Sequence, residues 1–251
     1  MQFQGKAAIS TGAASGMGLL FAQCFAAEGG NVLMCDVNEE ALNLCVDEIN
    51  AKGAGRAVAC LCDVRDYAQI CNACSLCVAE FGSIDMVCNF AGGTATRIWK
   101  VPSNVEFPDV PIEVYDWGLD VNLRAQLYLA HAAMKQMRVQ KSGLIVNIGS
   151  ISGMEGDKKG VEYCTAKSGA MFGLTKSLAQ YGADYGIRCV CVSPGPVLTR
   201  AAMANMKTML GRAAEPQEII DLILFIASEK GQFINGENIM IDGGRNAMPR
   251  R

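Results

Sequence analysis

The sequence predicts one α/β domain built on a doubly wound parallel sheet with helices on both faces. Three observations lead there. Short apolar runs alternate with longer helical segments along the chain, which is the rhythm of strand–helix–strand units. The apolar runs are near-continuous rather than alternating, as in parallel strands covered on both sides. The chain of 251 residues is within reach of one such unit, so residues 1–251 are taken together.

The first strand is "KAAIST", followed by a glycine-rich turn and the helix "MGLLFAQCFAAEGG". "NVLMCD" is the second strand, and "NEEALNLCVDEINAKG" the second helix, with Asn38 placed to cap it. "RAVACLCDV" precedes a cysteine-rich helix, "YAQICNACSLCVAEFG". "IDMVCNFAGG" is the next strand, and a long helix is expected over about 115–139. "GLIVNIGS" follows it, then a helix opening at Tyr163, then "GIRCVCVSPG" and finally "NIMIDGG". Two irregular stretches, "GTATRIWKVPSNVEFPDVP" and "PVLTRAAMANMKTMLGRAAEP", follow strand C-terminal ends. Ligands bind on that side of an open parallel sheet.

Hydrophobic residues make up 51% of the chain and charged residues 19%, which suits a large buried core. The net charge is −3 and there is no long basic run, which argues against nucleic acid as a partner. No apolar run approaches the roughly 20 residues of a membrane helix. The start, "MQFQGKAAIS", lacks a signal-peptide layout, so a cytoplasmic protein is expected. Twelve cysteines include "CNACSLC", with Cys71, Cys74 and Cys77. Spacing of three places them on one broad helical side, where cysteine serves as a small hydrophobe. No metal site is expected. Cys60, Cys62, Cys189 and Cys191 fall in strand-like runs and are read the same way, and His131 is read as packing within an apolar helix.

Gly12, Gly16 and Gly18 form G-x-x-x-G-x-G between the first strand and the first helix. Glycine lets the backbone turn sharply and approach a pyrophosphate, whose charge suits the amides at a helix start. Asp36 ends the second strand, 18 residues past Gly18. That is near the roughly 20 expected for a carboxylate on the adenosine ribose. No basic residue follows Asp36 or lies within "GAASGMG", which points to NAD rather than NADP. Tyr163 and Lys167 stand four residues apart, on one helical face. A free tyrosine has a pKa near 10. A cation beside it favours phenolate, and Lys167 is expected to act so.

With these pieces in place the chain resembles the classical short-chain dehydrogenase/reductase family over nearly its whole length, with a Rossmann sheet. Thr11 to Gly18, including Ser15 and Met17, fits its T-G-x-x-x-G-x-G motif, and Asp63 and Val64 match the pair that holds the adenine ring. Asn89, Phe90, Ala91 and Gly92 stand where N-N-A-G is usual; Phe90 departs from that pattern and puts the local geometry in doubt. Pro194 and Gly195, with Val197 and Thr199 beyond, fit the segment that holds the nicotinamide amide. The resemblance implies a tetrad of Asn122, Ser150, Tyr163 and Lys167. Tyr163 would then be the acid/base, Ser150 the partner of the substrate oxygen, and Asn122 the anchor of a water relay to Lys167. Lys167 also reaches the nicotinamide ribose.

The reaction implied is NAD-dependent interconversion of a secondary alcohol and a ketone, on a steroid, bile acid or other cyclic alcohol. A sugar or polyol substrate, and a catalytically idle NAD-sensing protein, are the other readings; an enoyl reductase ranks below them because those relatives space the Tyr–Lys pair more widely. A homo-oligomer, tetramer or dimer, is expected through "LRAQLYLAHAAMKQM" and the small residues after Tyr163. The segment 199–216 is short for a family lid, which implies an open pocket. Trp99, Met154, Met203, Met206 and Met209 are candidates to line it, and Arg97, Lys100, Lys158 and Lys159 to meet an acidic substrate.

Overall fold

A computed structural model describes residues 1–248. Seven strands form one sheet, every neighbouring pair parallel. They are β1 (Ala7–Thr11), β2 (Asn31–Asp36), β3 (Ala57–Leu61), β4 (Met86–Asn89), β5 (Gly143–Ile148), β6 (Ile187–Pro194) and β7 (Asn238–Ile241). The order is β3-β2-β1-β4-β5-β6-β7. The chain therefore winds outward from β1 in one direction, returns to β4 and winds outward in the other. The reversal opens a crevice at the C-terminal ends of β1 and β4.

Helices α1 (Gly16–Ala27), α2 (Glu39–Asn50), α3 (Tyr67–Phe81), α4 (Ala95–Ile98) and α5 (Ile112–Leu119) come first. They are followed by α6 (Ala125–Gln140), α7 (Ser152–Glu155), α8 (Val161–Gly169), α9 (Thr175–Ala183) and α10 (Pro216–Ala227). The core is in two layers. Phe21 and Phe25 of α1, Leu42 of α2 and Ile223 of α10 cover one face of the sheet. Ile70 of α3, Leu129 and Met137 of α6 and Ala179 of α9 cover the other. The β1 residues are wholly buried, which is why the strand reads as an unbroken apolar run. The caps are local chemistry: Asn38 accepts from the Ala41 amide to start α2, and Asp66 accepts from Ala68 and Gln69 to start α3.

The helix expected over 115–139 is not a single α-helix. A π-helical turn over Asp120–Arg124 separates α5 from α6. A second π turn, Ala170–Leu174, separates α8 from α9, and there the Thr175 hydroxyl donates to the Ala170 carbonyl at 2.6 Å. Each π turn lies inside an otherwise helical run, so the stretch still reads as helix in the sequence.

His131 departs from the sequence reading. It lies on the outer face of α6, exposed, hydrogen-bonded through Nδ1 to the Tyr67 hydroxyl, because the inner face is taken by Leu129, Ala130, Ala133 and Met137. The cysteine-rich helix packs as expected: Cys74 and Cys77 are buried against the sheet and Cys71 is half-buried. Burial pushes the Cys74 and Cys77 thiols up to about 12, whereas a metal ligand must be a thiolate. Among the described residues no three His, Cys, Asp or Glu side chains converge as a metal site. Protein prepared without oxygen is therefore expected to hold no stoichiometric zinc or iron. Elemental analysis checks this, and about one metal per chain, lost on Cys74→Ser, would overturn the packing reading.

Candidate active site

The crevice at the strand reversal holds a cleft of about 600 Å³. One wall is the turn from β1 into α1. The backbone takes positive φ at Gly12 (63°) and Gly16 (57°). A Cβ at Gly18 would lie 2.4 Å from the Gly12 carbonyl oxygen, so only glycine lets α1 start that close to the turn. Gly12, Ser15, Gly16, Met17 and Gly18 all line the cleft. The first amides of α1 have no intrahelical partner and are available to a phosphate.

Asp36 lines the cleft at the end of β2. Its Oδ2 accepts from the Ala14 amide and its Oδ1 from the Asn38 amide, each at 3.0 Å. The carboxylate thus braces the glycine turn, and a carboxylate's remaining lone pairs are left for ribose hydroxyls. Asp63 and Val64 line the cleft beside it. The Asp63 carboxylate is held by Arg65, whose Nε donates to both of its oxygens at 3.0 Å. That guanidinium pulls the Asp63 carboxyl below its usual range. Asp63 therefore reaches the adenine side as one half of an ion pair with Arg65.

Ala91 and Gly92 form the opposite wall. The Ala91 amide donates to the Thr11 hydroxyl at 3.1 Å, joining the ends of β1 and β4. Asn89 is buried and donates to Asn147, which in turn donates to Thr175. Phe90 lies against Phe21, with ring centroids 5.6 Å apart, so the departure from N-N-A-G is absorbed as packing on α1.

At the far end, Pro194 closes β6 and accepts from the Ile151 amide at 2.9 Å. Gly195 is pressed against Asp242, whose Cα lies 2.6 Å from where a Cβ would stand. Val197 is buried and bridged to Ala214, and Thr199, which lines the cleft, donates its amide to the Val197 carbonyl. Pro194, Gly195 and Val197 therefore shape the backbone that presents Thr199.

The chemically reactive groups meet beside this end. Tyr163, on α8, lines the cleft. Ser150, just after β5, accepts from the Ser152 amide at 3.1 Å, which leaves its O–H to donate. Burial raises the Tyr163 phenol above its ordinary value, while Ser150 and the charges of Arg200 and Arg97 pull it back. Lys167 is buried, donates to the Ile148 carbonyl at 2.8 Å and sits 5.5 Å from the Tyr163 ring centroid. Burial brings its ammonium down to about 8. Ser150, Arg200 and Arg97 therefore join Lys167 as the groups placed to favour the phenolate.

Asn122 lies in the first π turn and is fully buried. Its side chain accepts from the Gly93 amide and donates to the Gly93 and Gly118 carbonyls at 2.8–2.9 Å. Its own carbonyl accepts from Gln126 at 2.6 Å. Asn122 thus locks the loop after β4, and its side-chain and backbone carbonyl oxygens, each accepting one bond, each keep a lone pair. Glu162, beside Tyr163, was not singled out in the sequence. Its buried Oε1 accepts from the Ala95 amide at 3.0 Å and fixes the start of α4. Of the residues considered for the substrate mouth, Arg97 lines the cleft. Trp99, Met154 and Met209 are exposed, and Lys159 is drawn to the Ser103 carbonyl. Arg200, unnoticed in the sequence, lines the cleft opposite.

A doubly wound sheet with a glycine turn at its reversal defines a Rossmann-type dinucleotide-binding architecture. A family model described as enoyl-(acyl carrier protein) reductase matches residues 12–246. The 7alpha-hydroxysteroid dehydrogenase of Bacteroides fragilis is 34% identical, over 97% of this chain and 95% of that protein. The trans-4-hydroxycyclohexanecarboxylate dehydrogenase of Sinomonas cyclohexanicum is 38% identical, over 96% of this chain and 93% of that protein. Among solved structures, a 3-oxoacyl-[acyl-carrier protein] reductase with bound NAD from Brucella melitensis superposes with a TM-score of 0.87. It is 28% identical, with 98% of this chain and 92% of that one covered. The chain belongs to the short-chain dehydrogenase/reductase family, and it is an enzyme of that family.

Proposed function

We propose that the protein is an NAD-dependent dehydrogenase/reductase that interconverts a secondary alcohol and a ketone, with Tyr163 as acid/base. The observation that carries this is Tyr163, with Ser150 and Lys167 beside it, lining a cleft that also holds the glycine turn and Asp36. Bound NAD supplies the hydride acceptor, or NADH the donor. Asp36 receives the adenosine ribose, the amides of α1 receive the pyrophosphate, and Thr199 meets the nicotinamide amide. Ser150 donates to the substrate oxygen, where charge develops during transfer. Tyr163 accepts the hydroxyl proton on oxidation and returns it on reduction. Lys167 holds the nicotinamide ribose.

The relatives' names support a ring alcohol: one is a hydroxysteroid and the other a hydroxycyclohexanecarboxylate. The family model's description favours a second reading, reduction of an enoyl thioester. A panel of cyclic alcohols, ketones and one enoyl thioester, followed by NADH absorbance, separates the two. Oxidation of an alcohol is the expected result. Turnover of the enoyl thioester alone would replace the proposal, and no turnover of any compound would favour an idle NAD-binding protein. Self-association is proposed through α6 and α9 with the π turn before it, where Leu127, Phe172 and Tyr181 are exposed. A light-scattering mass of one chain would refute it.

A further inference from the structure

Arg97 and Arg200 line the cleft from different segments, α4 and the loop after β6, and both act on the Tyr163 phenol. Two guanidiniums so placed repel each other, and Arg97 is disfavoured as a cation by burial and by Arg200. Neither has a carboxylate partner among the described residues. Arg200 reaches the Met203 sulfur at 3.5 Å. The other cleft arginine, Arg65, is matched by Asp63. The acids close to Tyr163 in sequence do not pair with either arginine: Glu155 is held by Arg245, Asp157 by the Lys159 amide, and Glu162 by the Ala95 amide at Oε1, its Oε2 buried without a partner. Glu162 also fixes where α4 begins, and so where Arg97 stands.

An anion seated between the two guanidiniums would relieve their repulsion. The planar guanidinium fork matches a carboxylate through two parallel N–H bonds. We propose that Arg97 and Arg200 form a carboxylate-recognition site beside Tyr163, so that the substrate is a hydroxy acid and the product its oxo acid. The proposal rests on the assignment of Tyr163 as acid/base. The carboxylate is not consumed: the carbinol carbon gives hydride to NAD, its hydroxyl gives the proton to Tyr163, and the carboxylate fixes the ring's orientation. Orienting a substrate in this way lowers the barrier to transfer.

The test uses trans-4-hydroxycyclohexanecarboxylate and its carboxamide as probes, with NAD, on wild type, Arg97→Gln, Arg200→Gln and the double variant. Wild type is expected to prefer the acid by about tenfold or more in kcat/KM, as a charge-assisted bidentate contact implies. Each single variant should cut the acid-to-carboxamide ratio by roughly three- to tenfold, and the double variant should bring it near one. Added salt should lower the preference in wild type only. A binding measurement stands apart from turnover: cyclohexanecarboxylate should raise the Tm of NAD-loaded wild type and leave the double variant unmoved. Equal use of acid and carboxamide by wild type sinks the carboxylate site and leaves Tyr163 standing. Weakened NAD affinity with an unchanged ratio gives the arginines to the cofactor and also sinks it. Absence of any Tm rise, with no preference for the acid, does the same. Carboxylate binding lost in the double variant, with no alcohol oxidised, would keep the site and remove the role of Tyr163.

Discussion

Tyr163→Phe is expected to lower kcat by about 10²- to 10⁴-fold while NAD still binds, the usual worth of a positioned proton donor or acceptor. The ring stays, so its packing beside Lys167 is kept and only the hydroxyl is lost. NAD binding, followed by fluorescence or calorimetry, should be unchanged, because Asp36 and the glycine turn lie at the other end of the cleft. The pH dependence gives a second readout with a fixed sign. Burial holds the phenol above its ordinary value, so at neutral pH it is protonated and ready to act as an acid in ketone reduction. Alcohol oxidation needs the phenolate and should rise with pH as the phenol ionises. Bound NAD⁺, with its positive ring, favours the phenolate and so brings that rise to lower pH. In Tyr163→Phe this rise should vanish. A variant that keeps more than about a tenth of wild-type kcat, or the same pH profile, would remove Tyr163 from the acid/base role assigned to it.

Much of this was legible because the decisive positions are ones where chemistry leaves no choice. Gly18 is glycine because a Cβ would collide with the Gly12 carbonyl. The strands read as apolar runs because both faces of the sheet are covered. Asn38 was readable as a helix cap, since its side chain bonds the backbone three residues on. The rest depends on contacts between segments far apart in sequence. The π turn that carries Asn122 sits between α5 and α6 without a break, so the run reads as one helix. His131 sits in an apolar stretch, yet the helix turns it outward to Tyr67. Arg65, two residues from Asp63, was not singled out, although the fold pairs the two side chains. Arg97 and Arg200, by contrast, meet only because α4 and the loop after β6 open on one cleft. A motif scan sees Thr199 and passes over the arginine beside it. The groups that bear on Tyr163 divide in the same way. The neighbour four residues away was visible, and the charges brought in by the fold were not.

NAD is expected to be preferred over NADP by roughly 30- to 150-fold in kcat/KM, with Asp36 the main cause. The carboxylate already accepts two backbone amides, from Ala14 and Asn38, which fix its position at the cleft wall. With NAD, its remaining lone pairs take the adenosine ribose hydroxyls. With NADP, one hydroxyl becomes a phosphate carrying close to two negative charges. At about 4 Å and an effective dielectric of about 20, each unit-charge pair repels by roughly 4 kcal/mol before screening. Solvent and salt reduce this to about 2 to 3 kcal/mol, the basis of the expected range. Relief by a cation is blocked, because Arg65, the guanidinium on the adenine side, is held by both oxygens of Asp63. Asp36→Ala should narrow the gap from both sides, weakening NAD and relieving the repulsion of NADP. It should also loosen the glycine turn, since the Ala14 amide loses its acceptor. For that reason Asp36→Asn is the cleaner comparison: it keeps an acceptor for one amide and removes the charge. Raising Arg65's freedom offers an independent check, since Asp63→Asn should favour NADP selectively by releasing the guanidinium toward the 2′-phosphate. Initial rates with both cofactors at matched salt decide the matter. If the unmodified protein uses NADP as well as NAD, Asp36 does not meet the ribose, and the bracing of Ala14 is its whole role.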